Sequence, residues 1–412
     1  MRFSLGLYNI SIFFLRIVIR IAANFQTKAN LFLTGRKHVF IKAKNDINPD
    51  LPLAWFHCAS LGEFEQARPI IESFKENFSN YKILITFFSP SGYEVKKNYE
   101  HADHVYYLPY DTEKNANQWL DTINPNIVFF IKYEFWYHYF NEINKRNIPL
   151  LSVSTIFRDG QIFFKSFGKL QREILKKVSH FFVQNKKSVQ LLHEIGINQV
   201  TLSGDTRFDR VYEIAQKAES IAIAKAFAKR NKTWVLGSIW DEDMEILLPF
   251  INHDTGNHKF IIAPHEVTQA GIAKLEKQLT KPFVKYSQAN LADLENYDVL
   301  FIDNVGMLSS IYQYGDYGYI GGAYGKGLHN ILEAATFGMP IFFGNRKYRK
   351  FQEALDLIRL EAAFAVADYH QFNEQFQKLN HEVASTIARS YVKDHTGATQ
   401  KIIKHCQSIL AS

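Results

Sequence analysis

Short apolar runs alternate with longer amphipathic stretches along nearly the whole chain, and this rhythm limits the fold more than any other feature. Candidate strands lie at 53–59, 82–88, 104–108, 127–131, 150–154 and 180–183, with helical stretches such as 65–77 and 137–146 between them. A second series runs through 199–203, 233–237, 259–263, 299–302, 318–320 and 340–343, with helical stretches at 241–250, 265–279 and 330–337. Strand and helix in alternation predict an α/β protein with parallel, doubly wound sheets. A length of 412 residues exceeds what one core usually supports, so two Rossmann-like domains are expected, meeting near residue 204. The expected division is 1–45 (an amino-terminal helix and basic linker), 46–203 and 204–412, with the helices from about residue 369 packing back across the boundary. Ligands of such sheets bind beyond the strands' carboxyl ends, so two facing domains would offer an interdomain cleft.

The amino terminus departs from that rhythm. Residues 3–23 are almost wholly apolar, long enough to cross a bilayer, but Arg16 and Arg20 interrupt the run one helical turn apart. A cleavable signal would place its charges ahead of the apolar core, where only Arg2 stands. The expectation is a membrane-associated helix with its arginines at the head groups, followed by Lys28, Arg36, Lys37, Lys42 and Lys44 as contacts for anionic lipid. An amphipathic helix packed on the protein itself accounts for the same pattern. The net charge of +7 suits an anionic partner, yet no basic-aromatic nucleic-acid module is present, so none is expected to bind. The two cysteines, Cys58 and Cys406, are far apart and apolar in context, which points to a reducing compartment.

Several segments at strand ends carry chemistry-bearing residues. In Ser60-Leu61-Gly62-Glu63, the S-x-x-E spacing is that of a capping box, and the pattern alone favours that reading. A carboxylate at a strand's carboxyl end also suits a general base that takes a proton from a hydroxyl. Ser89-Pro90-Ser91 offers hydroxyls and backbone N–H groups to an anion, or plain turn and cap chemistry. Lys132-Tyr133-Glu134 follows a strand, and its charges face either a site or solvent. Arg207, in Gly204-Asp205-Thr206-Arg207-Phe208-Asp209, has the planar fork that clamps a carboxylate or phosphate, or it pairs with a neighbouring Asp. His265 follows the strand at 259–263, where it faces a nucleotide or merely opens a helix. The strongest segment is 318–334, in which a strand enters a glycine-rich loop that ends at a helix. Gly321, Gly322 and Gly327 let backbone approach a phosphate, and Lys326, His329, Asn330 and Glu333 exceed what a structural loop needs. It is neither a Walker A loop nor a dinucleotide fingerprint. Asp241-Glu242-Asp243 matches a D-x-D metal motif but opens a helix, so it is read as cap material and no metal is expected.

Taken in order, these segments resemble one family, the 3-deoxy-D-manno-octulosonic acid (Kdo) transferases, over roughly residues 5–360. Ser60–Glu63 looks like the family's S-x-G-E motif, 204–209 like its G-N-x-K/R-F-D motif, and Gly321-Gly322 with His329-Asn330-x-x-Glu333 like its sugar-nucleotide loop. The resemblance implies a GT-B fold, a CMP-Kdo donor, a lipid A precursor (lipid IVA) as acceptor and inverting transfer without metal or cofactor. It further implies a monotopic protein on the cytoplasmic face of the inner membrane. It moves the weight at Glu63 from cap to catalytic base. Arg207, His265, Gly321, Gly322, Lys326, Gly327, His329, Asn330 and Glu333 are then expected to hold the donor, and Ser60, Gly62, Ser89, Ser91 and Glu134 the acceptor. Two features depart from the family: Lys132 and Tyr137 stand where a second acid and a proline are common, and the loop 323–328 is one residue shorter. The rival expectations are a GT-B enzyme that uses a UDP-sugar (a transferase or 2-epimerase) and a non-catalytic membrane-bound nucleotide- or lipid-binding protein.

Overall fold

The computed structural model describes residues 2–410, which build two parallel sheets. The first contains β1 (Leu53–Cys58), β2 (Lys82–Phe87), β3 (His104–Tyr107), β4 (Ile127–Ile131), β5 (Leu150–Thr155), β6 (His180–Val183) and β7 (Val200–Leu202), in the order β3-β2-β1-β4-β5-β6-β7. The second contains β8 (Thr233–Ile239), β9 (Lys259–Pro264), β10 (Phe283–Lys285), β11 (Val299–Phe301), β12 (Tyr317–Ile320), β13 (Ile341–Gly344) and β14 (Ala363–Val366), in the order β10-β11-β9-β8-β12-β13-β14. Both therefore reverse their winding once, between β1 and β4 and between β8 and β12. Together with the similarity to solved structures given below, this establishes the expected α/β, GT-B class.

Residues up to Arg210 and from Gly397 onward form one unit, and Val211–Thr396 forms the other. The division thus falls a few residues beyond the expected junction at 203/204. The reason is that the 204–209 segment is tied into the first unit. Buried Asp205 accepts the Gln66 amide at 3.1 Å, and the Thr206 hydroxyl donates to the Gln66 carbonyl at 2.6 Å. The strand expected to open the second series, β7, pairs with β6 in the first sheet. Two strands, β10 and β14, were not anticipated, and the helices expected at 265–279 and 330–337 shrink to Gln269–Glu276 and Leu332–Ala335.

Parallel strands covered on both faces must be apolar throughout, and successive residues serve different cores. In β1, Leu53 and Trp55 join one buried cluster with Val128 and Phe130, while Ala54, Phe56 and Cys58 join another with Ile127 and Phe129. His57 takes the next position on the Trp55 face, where it lies against Phe130 with ring centroids 4.9 Å apart. That places an imidazole in a fully buried strand, one residue from the sheet's carboxyl edge.

The amino-terminal helix, α1 (Arg2–Ala22), belongs to the first unit. Ser4–Ala22 is long and apolar enough to cross a membrane. It is not detached, however. The Tyr8 hydroxyl donates to the Asp111 carboxylate, and Asn9 Oδ1 lies 2.7 Å from His138 Nε2. Ile12 is buried one turn further on. Other faces of α1 leave Leu7, Ile10, Phe13, Phe14, Ile17, Val18 and Ile21 exposed, and Phe25 follows them. The helix therefore packs through a narrow stripe and presents a broad apolar surface outward. One basic residue expected at a lipid surface is otherwise engaged. Arg36 donates to the carbonyls of Leu108, Phe88 and Phe32 at 2.8, 2.6 and 2.9 Å, and burial lowers its pKa to about 10. Lys28, Lys37, Lys42 and Lys44 remain exposed.

The helix Ala398–Leu410 closes the first unit by burying Ile402, Ile403 and Cys406 in the core that also holds Ala67 and Ile70. Asp209 caps it, accepting the N–H groups of Gly397 and Thr399 at 2.5 and 2.7 Å and the Thr399 hydroxyl at 2.8 Å. Replacing Asp209 with Ala removes a charge-assisted cap and is expected to cost about 1–2 kcal/mol. A lowered melting temperature together with faster thiol labelling of Cys406 is the expected result; unchanged labelling would show that the cap does not hold this helix.

Candidate functional site

The first unit gathers its candidates at the β1/β4 reversal. After β1 the chain turns through Ala59 and Ser60 into the helix Leu61–Asn77, with Glu63 in its first turn. The capping box allowed by the spacing does not form, because the Ser60 side chain accepts no helix N–H. Its hydroxyl donates to the Glu63 carboxylate instead. Glu63 is thus oriented by a neighbour, partly exposed, and placed at the favourable end of the helix dipole. Gly62 is exposed, and a Cβ there would meet only Ser60 Oγ at 3.8 Å, so space beside the carboxylate stays open. Beyond β2, Ser89 caps the short helix Pro90–Lys96 by accepting the Ser91 N–H at 3.3 Å, and the two hydroxyls lie 3.0 Å apart. Beyond β4, Glu134 accepts the Trp136 indole N–H at 2.9 Å. Burial first, then the charges of Glu63 and Glu134, push the Cys58 thiol well up, so both carboxylates act on this one residue.

Sequence reasoning missed His57. Its Nδ1 lies 2.9 Å from Thr86 Oγ1, which also accepts the Trp55 indole N–H at 2.8 Å. An indole N–H only donates, so the Thr86 hydroxyl is free to give its proton to Nδ1. The remaining proton then sits on Nε2, which faces the Glu134 carboxylate at 3.5 Å. Trp55, Thr86 and His57 Nδ1 are thereby hydrogen-bonded in series, while buried Nε2 makes no hydrogen bond and only approaches Glu134. The detectable signal was a polar residue at the last-but-one position of an otherwise apolar strand.

Arg207 sits near this edge but is not a loose cation. Its Nε and Nη2 reach Asp205 at 3.0 and 2.8 Å. Burial opposes ionisation of Asp205, yet Arg207 and Lys132 hold its carboxyl below the ordinary value. The pair is a fixed positive group set on a buried anion rather than a freely moving side chain.

The second unit repeats the pattern at the β8/β12 reversal. Trp240 follows β8, His265 follows β9, and the glycine loop follows β12. Trp240 and His265 stack with centroids 4.3 Å apart, and His265 stacks on His329 at 4.5 Å. Trp240 Nε1–H donates to His329 Nε2 at 3.1 Å, which requires an unprotonated Nε2. Asp243, read from sequence as cap material, does cap the Trp240 N–H at 3.0 Å but also accepts the Gly322 N–H at 3.0 Å and the Tyr319 hydroxyl at 3.1 Å. Burial raises its carboxyl, and these three donors oppose the rise. Asp241 pairs with Lys274 at 2.6 Å.

The loop needs its glycines. Gly322 has φ +91°, and a Cβ there would lie 2.5 Å from the Gly327 carbonyl oxygen. At Gly321 a Cβ would lie 2.3 Å from the Ser238 carbonyl oxygen. Lys326 Nζ stands 5.7 Å from the Trp240 ring centroid, and Asn330 donates to Glu333 at 3.1 Å. The regular helix that follows is only Leu332–Ala335, so the expected helix-terminus contribution to anion binding is small. A second element unseen in the sequence supplies charge instead. The segment after β13 carries exposed Arg346, Lys347, Arg349 and Lys350, and Lys347 donates to the carbonyls of Gly325 and Ala323 at 2.5 and 2.8 Å. The structure thus joins His265, Gly322, Lys326 and His329 through Trp240 in one unit, and sets Ser60 with Glu63 in the other.

Burial, then the neighbouring His265, lowers the His329 pKa to about 4. An unfolded histidine titrates near 6.5, so the unfolded chain binds more protons between these values and stability falls as pH drops through that window. His329→Gln keeps an acceptor for Trp240 without titrating. Denaturation at pH 7, 5.5 and 4.5 should show the wild type losing more stability than this variant; parallel losses would place the acid sensitivity elsewhere.

The chain is similar to several known proteins. Residues 33–210 match the family model for 3-deoxy-D-manno-octulosonic-acid transferase. A bifunctional glycosyltransferase/methyltransferase of Fusobacterium nucleatum is 26% identical over 343 residues, 80% of this chain and 52% of that protein, so the chain spans about half of that relative. The 3-deoxy-D-manno-octulosonic acid transferase of Rickettsia felis is 27% identical over 324 residues, 76% of this chain and 68% of that protein. Among solved structures, the UDP-GlcNAc 2-epimerase of Neisseria meningitidis bound to UDP-GlcNAc superposes with a TM-score of 0.61 at 15% identity, covering 87% of this chain and 99% of that one, which speaks to the fold alone. The ordered motifs, the matched first unit and relatives that run on through most of the chain point the same way: the chain is similar to the Kdo transferases.

Proposed function

We propose that this chain is an inverting glycosyltransferase that moves Kdo from CMP-Kdo to a hydroxyl of a lipid A precursor, lipid IVA, in lipopolysaccharide assembly. The observation that carries the reading is Glu63, held by Ser60 at the β1/β4 reversal of the unit that matches the Kdo transferase model. In the proposed mechanism Glu63 accepts the proton of the acceptor hydroxyl. That oxygen forms a bond to the anomeric carbon of Kdo as the bond from this carbon to the phosphate oxygen breaks, with inversion. CMP departs as an anion, and the glycine loop with Lys326 and the cationic segment 346–350 offsets its charge. His265, His329 and Trp240 supply flat surfaces for the nucleotide, with Asn330 and Glu333 as polar contacts. Arg207, fixed by Asp205, faces the donor's negative charge. Ser89, Ser91 and Glu134 hold acceptor hydroxyls. The exposed apolar face of α1, with Lys28, Lys37, Lys42 and Lys44, fits a monotopic protein on the cytoplasmic face of the inner membrane, where such an acceptor resides.

Glu63→Gln preserves shape and an acceptor for Ser60 but removes the base. Transfer is expected to fall by about 10²–10⁴-fold while CMP-Kdo binding changes little. Loss of donor binding would make Glu63 structural, and competition by UDP instead of CMP would point to a UDP-sugar enzyme.

A further inference from the structure

The segment 156–168 joins β5 to the helix Lys169–Leu175 and is more firmly built than a passive connection needs. Phe157 is buried and packs against Phe135, Phe163 and Phe164, with centroids 6.0, 5.8 and 5.6 Å away. The Arg172 guanidinium donates to three carbonyls of the segment: Phe163 at 3.1 Å, Lys165 at 2.6 Å and Ser166 at 3.3 Å. Gly168 closes it so tightly that a Cβ there would lie 1.8 Å from the Ile162 carbonyl oxygen. Yet the outcome of this bracing is to hold Phe167 75% exposed and Ile162 40% exposed. Burying either would be favourable, so a fold that fixes both in water leaves unused binding energy on its surface.

The surroundings say what would use it. Arg158, Lys165 and Lys169, each within a few residues of one of the two apolar side chains in sequence, are exposed. The segment's single acid, Asp159, is paired with Lys187 at 2.8 Å. Exposed apolar side chains on a short segment flanked by exposed cations match the interface of an anionic bilayer. The position agrees. Phe135, which packs on Phe163 at 5.3 Å, lies in the same short stretch after β4 as Tyr137 and His138, which hold Tyr8 and Asn9 of α1. The apolar face of α1 and the Phe167 turn are thus anchored on one stretch of chain, at the carboxyl edge of adjacent strands.

We infer that the 156–168 segment is a second membrane contact, inserting Phe167 and Ile162 beside α1. This rests on the reading that α1 meets a membrane surface. A single helix lying in an interface leaves the body free to rock about the helix axis. A second contact removes that freedom and fixes the sheet's carboxyl edge, with Glu63, relative to the bilayer that contains the acceptor.

The test uses the full chain with Phe167→Cys labelled by the environment-sensitive dye NBD, since native Cys58 and Cys406 are buried and label poorly. Vesicles of phosphatidylethanolamine and phosphatidylglycerol should shift NBD emission at 167 to the blue, and leave a dye at Val383→Cys, an exposed position in the second unit, unchanged. Phe167→Asp should weaken co-sedimentation with these vesicles by roughly 5- to 10-fold without altering the melting curve. If the wild type sediments with vesicles while the dye at 167 stays in water, the inference fails and α1 is the membrane contact by itself. If the wild type does not sediment, the membrane reading of α1 fails and this inference falls with it.

Discussion

The parallel ladder of both sheets is the constraint from which the rest follows. Every paired strand runs the same way and is covered on both faces, so the strand interiors admit almost nothing polar. Polar and charged groups are displaced to the strand ends, and the single reversal of winding in each sheet opens space at one carboxyl edge. Ser60, Glu63 and Glu134 stand at the β1/β4 reversal, and Trp240, Gly321 and Gly322 at the β8/β12 reversal. Three of the eight described residues with side chains and positive φ lie on these rims. Lys132, Ser154 and Ser238 adopt φ values of +58°, +53° and +54°, unusual for residues with side chains, at the ends of β4, β5 and β8. Register shifts in the β5/β6 and β8/β9 pairings fall beside Ser154 and Ser238. The strain bends these strand ends where candidate residues leave the sheet, in keeping with its usual concentration at functional sites.

The alternation of apolar and amphipathic segments made the fold legible, because parallel strands leave a pattern strong enough to survive without neighbours. β4 and β6 appear in the sequence at their observed bounds. β10 and β14 did not, since each is a partly buried edge strand of only three or four residues, too short to stand out as a separate run. The helix after the glycine loop was overextended because residues 331–337 are mostly apolar for packing reasons, whatever their backbone conformation. Side-chain pairings were harder still. S-x-x-E spacing allows a cap and an oriented carboxylate alike, and only coordinates separate a hydroxyl that accepts an N–H from one that donates to Glu63. Arg36 reads as one more cation in a basic run, yet two carbonyls beyond the ends of β2 and β3 and one from the helix Thr27–Thr34 enclose it. His57 and the cations after β13 escaped notice because their partners are distant in sequence.

The two units solve different electrostatic problems with the same scaffold. In the second, a buried carboxylate, Asp243, stiffens the glycine loop from beneath while Lys326 and the 346–350 segment make its outer side positive. In the first, partly exposed carboxylates stand at the strand ends, Glu63 held by Ser60 and Glu134 by the Trp136 indole N–H. An anionic nucleotide sugar suits the former, and a hydroxyl that must lose a proton suits the latter. α1 adds the third element, an apolar face fixed to the first unit through Tyr8 and Asn9.

The central claim is transfer of Kdo to a membrane lipid. Its most direct test is incubation of the wild-type protein in detergent with CMP-Kdo, generated in situ, and a tetraacylated lipid A precursor, followed by mass spectrometry of the lipid. The account predicts a gain of one or more Kdo masses that requires the cytidine donor. A folded protein that leaves the lipid mass unchanged would contradict it.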